Sequence, residues 1–118
     1  MGDRANIHVR RGNDDPGVYL YTHWRGTELP FILQDALSKR WRWDDGAYLT
    51  RIIFDTMTEF SHGNESGFGI SSTIEDGASR VLVVNTETKT VSFGGQVWTF
   101  DEYLALPYPD EYTWLSGE

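Results

Sequence analysis

The chain has no cysteine, which removes disulfides as a source of stability and excludes every metal site that depends on thiolate. It has no apolar run near the roughly 20 residues that a membrane-spanning helix needs. Its first residues, Met1-Gly2-Asp3-Arg4-Ala5-Asn6, lack the apolar stretch of a signal peptide, and Asn6 stands where a myristoylation signal wants Ser or Thr. Basic side chains are scarce, ten against eighteen acidic for a formal net charge of −8. The deficit is one-sided: residues 1–51 hold eight basic and seven acidic groups, residues 52–118 only Arg80 and Lys89 against eleven acidic ones. Affinity for phosphate backbones rests on Lys and Arg displacing counterions, so neither nucleic acid nor a membrane surface is an expected partner. These absences set the expectation of a cytoplasmic protein. The acidic half keeps a small domain dispersed, and it also has the charge to enter a basic groove on another protein.

Catalytic motifs are missing as well. The histidines are His8, His23 and His62, without HxxxH or HExxH spacing, so no metal is expected. Joining His8 to His23 would require a hairpin to bring them together. Ser61-His62 and Ser71-Ser72 lie in no GxSxG elbow. Gly67-Phe68-Gly69 has no following Lys-Ser or Lys-Thr to make a phosphate loop. The acidic pairs Asp14-Asp15, Asp44-Asp45, Glu75-Asp76, Asp101-Glu102 and Asp110-Glu111 fall in turns, caps or the tail, where water keeps both members ionised. No cofactor is expected.

What is present is a core. Hydrophobic residues make up 39% of the 118, aromatics 14%, enough for one domain over residues 1–118 that buries about two-thirds of its unfolded surface. Residues 4–10 and 17–25 alternate with the two-residue period of half-buried strands. The turn-rich Gly12-Asn13-Asp14-Asp15-Pro16-Gly17 between them predicts an antiparallel hairpin. A helix is expected from Thr27 as N-cap, with Leu29, Leu33, Ala36, Leu37 and Trp41 on one face. A second opens at Asp44 or Asp45, buries Leu49, Ile52, Ile53, Thr56, Met57 and Phe60, and stops at Gly63. Of Trp41 and Trp43 between the helices, one is expected to close the core. Phe68–Ser72 reads as a weak strand, Arg80–Asn85 as a central one. Thr90–Phe93 and Gln96–Trp98 are joined by a Gly94-Gly95 hairpin turn. Thr99 and Glu102 form a capping box for a helix through Leu106, and Tyr108, Tyr112 and Trp114 suggest a docked tail. The fold class expected is α+β, order ββααβββα, an antiparallel sheet with two helices on one face.

The hairpin offers the one candidate site. Ala5, Ile7, Val9, Val18, Leu20 and Trp24 fall on one side; Arg4, Asn6, His8, Arg10, Tyr19, Tyr21, His23 and Arg25 fall on the other. On the basic, aromatic side Arg4 and Arg25 suit phosphates, Tyr21 suits stacking on a base, and Asn6 and His23 suit the edges of a ring; Trp24, from the other side, is a further candidate for stacking. The expected ligand is small, anionic and planar, such as a nucleotide.

Met1-Gly2-Asp3-Arg4-Ala5-Asn6-Ile7, Tyr19-Leu20-Tyr21-Thr22-His23-Trp24, Arg51-Ile52-Ile53-Phe54, Gly67-Phe68-Gly69-Ile70-Ser71 and Phe100-Asp101-Glu102-Tyr103 resemble a group of small bacteriophage and prophage accessory proteins. The resemblance spans nearly the whole chain and implies a context rather than a catalytic residue. What the resemblance implies is the context in which small acidic phage proteins often bind and disable a host component, CRISPR effectors and nucleotide-signalled immunity included. The expectation is therefore a non-enzymatic protein that blocks a host defence component. Its partner would be a small nucleotide on the hairpin face, or a host protein complex met by the acidic surface of residues 52–118. A homo-oligomer would close the nucleotide pocket. The alternatives are a small hydrolase or nucleotide-modifying enzyme using His23 oriented by Asp3 or Glu28, and a structural homo-oligomer.

Overall fold

Alternating apolar side chains place Ala5, Ile7 and Val9 on one side of β1 (Ala5–Arg10), and all three are buried. β1 pairs antiparallel with β2 (Val18–Thr22), as expected of a hairpin, and the register, which the loop leaves open in the sequence, sets Ile7 opposite Leu20 and His8 opposite Tyr19. The computed structural model describes residues 3–59, 66–74 and 80–107. After β2 a single 3-10 turn at Gly26–Glu28 leads into α1 (Leu29–Ser38), and α2 (Gly46–Met57) follows. Then come β3 (Phe68–Ser71), β4 (Val81–Asn85), β5 (Thr90–Phe93), β6 (Gln96–Thr99) and α3 (Phe100–Leu104).

The class is α+β, with six strands in one sheet in the order β3-β2-β1-β4-β5-β6. Two details differ from expectation. Four strands, not three, follow the helices, because Phe68–Ser71 is a full strand that joins the outer edge of β2 rather than continuing into a meander. The sheet is also mixed: β1 and β4 run parallel at its centre, Ile7 beside Leu82. Near-continuous apolar sequence in β4, Val81-Leu82-Val83-Val84, suits that central position. The Gly94-Gly95 turn between β5 and β6 has positive φ at both residues, +57° and +86°, the backbone a two-residue hairpin loop requires.

One apolar cluster unites Leu29, Leu33, Ala36 and Leu37 of α1, Leu49, Ile53 and Met57 of α2, and Phe100 and Tyr103 of α3. They pack with Ile7, Leu20, Leu82, Val84 and Val91 of the sheet. The helices thus share one face. Asp45 caps α2 by accepting from the Tyr48 N–H at 3.3 Å, and the Thr99–Glu102 capping box opens α3 at 2.9 and 3.0 Å. Thr27 is not the cap of α1: its N–H is taken by the Asp3 carboxylate at 2.8 Å, inside the 3-10 turn. Trp41 is not on the core face of α1 either, because the helix ends at Ser38 and the ring is 59% exposed. Trp43 does the closing, edge-on to Phe100 and donating its indole N–H to the Leu37 carbonyl. Phe60, Gly63, Tyr108, Tyr112 and Trp114 lie outside the described residues. Among those residues, no helix is long and apolar enough to cross a membrane.

Candidate ligand-binding face

The sheet face away from the helices carries the alternate hairpin side chains. Asn6 and His8 of β1 stand opposite Tyr21 and Tyr19 of β2. Both β1 residues are buried even on this side, since their neighbours lean over them. His8 stacks on Tyr19 with centroids 4.1 Å apart and planes 7° from parallel. Its Nε2 is 2.7 Å from the Pro16 carbonyl, which can only accept, so this nitrogen carries a proton.

His23 lies just past the end of β2 and its backbone is fixed from both sides. Its N–H donates to the Gly67 carbonyl at 2.8 Å, and its carbonyl accepts from the Asp3 N–H at 2.7 Å. The side chain is the meeting point of the site. Nδ1 lies 3.3 Å from Arg4 Nε and 3.3 Å from the Tyr21 hydroxyl. A guanidinium has only donors, so Nδ1 accepts, the ring proton sits on Nε2, and that N–H is left to donate elsewhere. Trp24 stands edge-on to His23 at 5.7 Å and edge-on to Phe68 at 6.5 Å. Its six-membered ring lies over Gly67, where an added Cβ would fall 2.3 Å from Cζ2.

The structure therefore brings Arg4, Tyr21, His23 and Trp24 together, with Asn6 buried alongside. It does not bring Arg25. The Arg25 N–H turns back to the Thr22 hydroxyl at 3.1 Å, and the side chain then reaches Glu28 at 2.7 Å and the Met57 carbonyl, on the helix side. The two-residue parity ends with the strand at Thr22, so it misplaces both residues that follow His23. Trp24, placed on the core side by parity, is 46% exposed beside His23. The partial exposure of its ring is what a stacking surface needs.

The acid–base constellation is not assembled. Asp3 holds Arg80 at 2.7 Å and the Thr27 N–H, while Glu28 holds Arg25, so neither carboxylate orients His23. Burial raises the Asp3 carboxyl, but hydrogen bonds from Thr27 and Arg80 together with the Arg80 charge outweigh it and hold the group below its ordinary value. Nor does the hairpin unite His8 with His23, because His8 sits opposite Tyr19, four residues earlier. Among the described residues, no group of three or more His, Asp or Glu side chains could hold a metal.

The face is more concave at its other end, where His8, Arg10, Tyr19 and Ser72 help to line a cavity of about 490 Å³. Asp14 and Asp15 line it too, and the Arg11 and Gly17 amides hold the Asp15 carboxyl below its ordinary value. An anion is opposed there. At the His23 end, Asp3 is matched by Arg80, and the side chains gathered around the ring are Arg4, Tyr21 and Trp24. Among the described residues, no serine, threonine or carboxylate side chain is hydrogen-bonded to the His23 ring. No protein-family model matches the chain, and no curated protein or solved structure matches it significantly.

Proposed function

We propose that this is a non-catalytic accessory protein, of the phage type its sequence resembles, that blocks a host defence component by sequestering a small anionic nucleotide on the open sheet face. One observation carries the reading: Arg4, Tyr21 and Trp24 converge on His23. In this arrangement the guanidinium takes phosphate, Tyr21 and Trp24 offer ring faces at about 1–3 kcal/mol per stacked base, and the His23 Nε2–H donates to a ring or ribose oxygen. Native mass spectrometry of protein purified from its expression host, before and after mild denaturation, tests this directly. Thermal denaturation with AMP and cyclic AMP complements it. A released nucleotide mass, or a melting temperature raised by nucleotide as ligand linkage demands and no longer raised in Tyr21→Ala or His23→Ala, is the expected result. A clean apo mass with no shift from either nucleotide overturns it.

A second reading, inhibition of a basic host complex through the acidic half, is favoured by how the charges pair. The two cations of residues 52–118 are both spent on carboxylates of the first half, Arg80 on Asp3 and Lys89 on Asp44. Binding that weakens steeply with salt and survives Tyr21→Ala distinguishes it from the first.

A further inference from the structure

The turn between α1 and α2 is strained, basic and aromatic. Arg40 and Arg42 both adopt φ of +58°, a left-handed conformation that costs any L side chain and that glycine would adopt freely. Neither position is glycine. The guanidinium of Arg40 lies over Trp43 at 4.9 Å and pairs with Asp101 at 2.8 Å. The guanidinium of Arg42 lies over Tyr48 at 4.6 Å. Between the two, Trp41 is held out into solvent, with Lys39 6.0 Å from its ring. Tyr48 is half exposed as well. Arg40, Trp41, Arg42 and Tyr48, with Arg51 and the buried Ile52, line a cavity of about 490 Å³, and Lys39 stands beside it at the Trp41 ring. Core packing explains Trp43; it does not explain Trp41.

We propose that this turn is a docking site for a segment of another protein in which one or two carboxylates flank an apolar side chain. The composition is that of an interface hot spot, where Trp, Tyr and Arg dominate, and a turn held in two strained residues presents its anchor without further ordering. Charge identifies the occupant. Arg40 is matched by Asp101 and Arg51 by Asp55, whereas among the described residues no carboxylate pairs with Lys39 or Arg42. Two unmatched cations suit one or two carboxylates, with Trp41 and Ile52 receiving the apolar group between them. A nucleic-acid strand needs many more cations than two. A two-fold contact with a second copy is disfavoured because it would set these cations against themselves. The proposal is independent of the open-face nucleotide site.

The five tryptophans make the test direct, since each gives one indole N–H signal in a nitrogen–proton correlation spectrum. The Trp41 signal is assigned by its loss in Trp41→Phe, an exposed substitution that leaves the core untouched. The probe is the peptide acetyl-Asp-Leu-Asp-Phe-amide, beside its counterpart with Lys in place of Asp and a thymidine oligonucleotide. Saturable movement of the Trp41 signal with the acidic peptide is expected, weakened about tenfold by Arg42→Asn, a residue that keeps the left-handed backbone, and unchanged by Tyr21→Ala. A Trp41 signal that ignores the acidic peptide, responds equally to the Lys peptide, or responds only to the oligonucleotide overturns the proposal.

Discussion

Gly67→Ala is the substitution whose cost can be worked out most fully. Gly67 has φ of +102°, where an L side chain is strained by about 1–2 kcal/mol. The new methyl would also lie 2.3, 2.8 and 2.9 Å from three atoms of the Trp24 ring, closer than real carbon atoms approach. Backbone bonding from His23 to the Gly67 carbonyl ties the glycine in place, so the half-exposed ring yields instead. As it swings out it gives up its edge contacts with His23 and Phe68, each worth about 0.5–1.5 kcal/mol. The total is about 2–5 kcal/mol, or a melting temperature lower by roughly 10–20 °C for a chain of this length. Urea unfolding measures the loss, and a double-mutant cycle divides it. In a Trp24→Ala background the same Gly67→Ala change should cost only the backbone part, about 1–2 kcal/mol. Equal costs in the two backgrounds would refute the seating of Trp24 on Gly67, and with it the ring geometry of the candidate site.

Other outcomes follow from the same contacts. Ile53→Ala should cost about 2–5 kcal/mol by chemical denaturation, because the side chain is wholly enclosed between the helices and the sheet. Thr99→Ala should cost about 0.5–2 kcal/mol, with loss of amide-exchange protection confined to the start of α3, where the capping box is. The Asp3 carboxyl titrates below its ordinary value, so its pairing with Arg80 and Thr27 stabilises the fold above the ordinary carboxylate range and is lost as pH falls through the folded-state value. Asp3→Asn should therefore be less stable than the parent at neutral pH, and the gap should close on acidification; a gap that persists under acid contradicts the assignment.

Legibility in the sequence tracked whether a pattern stayed inside one element. The hairpin was readable because strict alternation over Ala5–Arg10 and Val18–Thr22 marks two strands about a turn-rich loop, but a shift by two residues keeps every face, so the register that sets Ile7 opposite Leu20 is fixed only in the fold. α2 was readable for the same reason at a different period, from Leu49 to Met57. A period carries no information past the end of its element. Trp24 and Arg25 lie beyond Thr22, and Trp41 lies three residues beyond the end of α1. The convergence of Arg4, Tyr21 and His23 was legible as a shared face, but Phe68, at the start of β3, and Gly67 just before it, which seat Trp24, are brought there by a strand pairing with β2 that no local pattern announces. Parallel pairing of β1 with β4 was equally silent, since the partners are set by the path of the whole chain.

That parallel pair has a consequence in time. Asn6 meets Val81, about 75 positions later, and closing so long a loop precedes any reward from the contacts it brings. Until β4 emerges from the ribosome, β1 has a neighbour on one side only, and its other edge presents open backbone groups beside a strongly apolar strand, the kind of edge that pairs with foreign chains. Folding should thus be governed by late arrival of the central strand, on the slower side for a domain of this size. A chain halted before Val81 would carry both helices and the first hairpin yet keep the middle of its sheet unsealed.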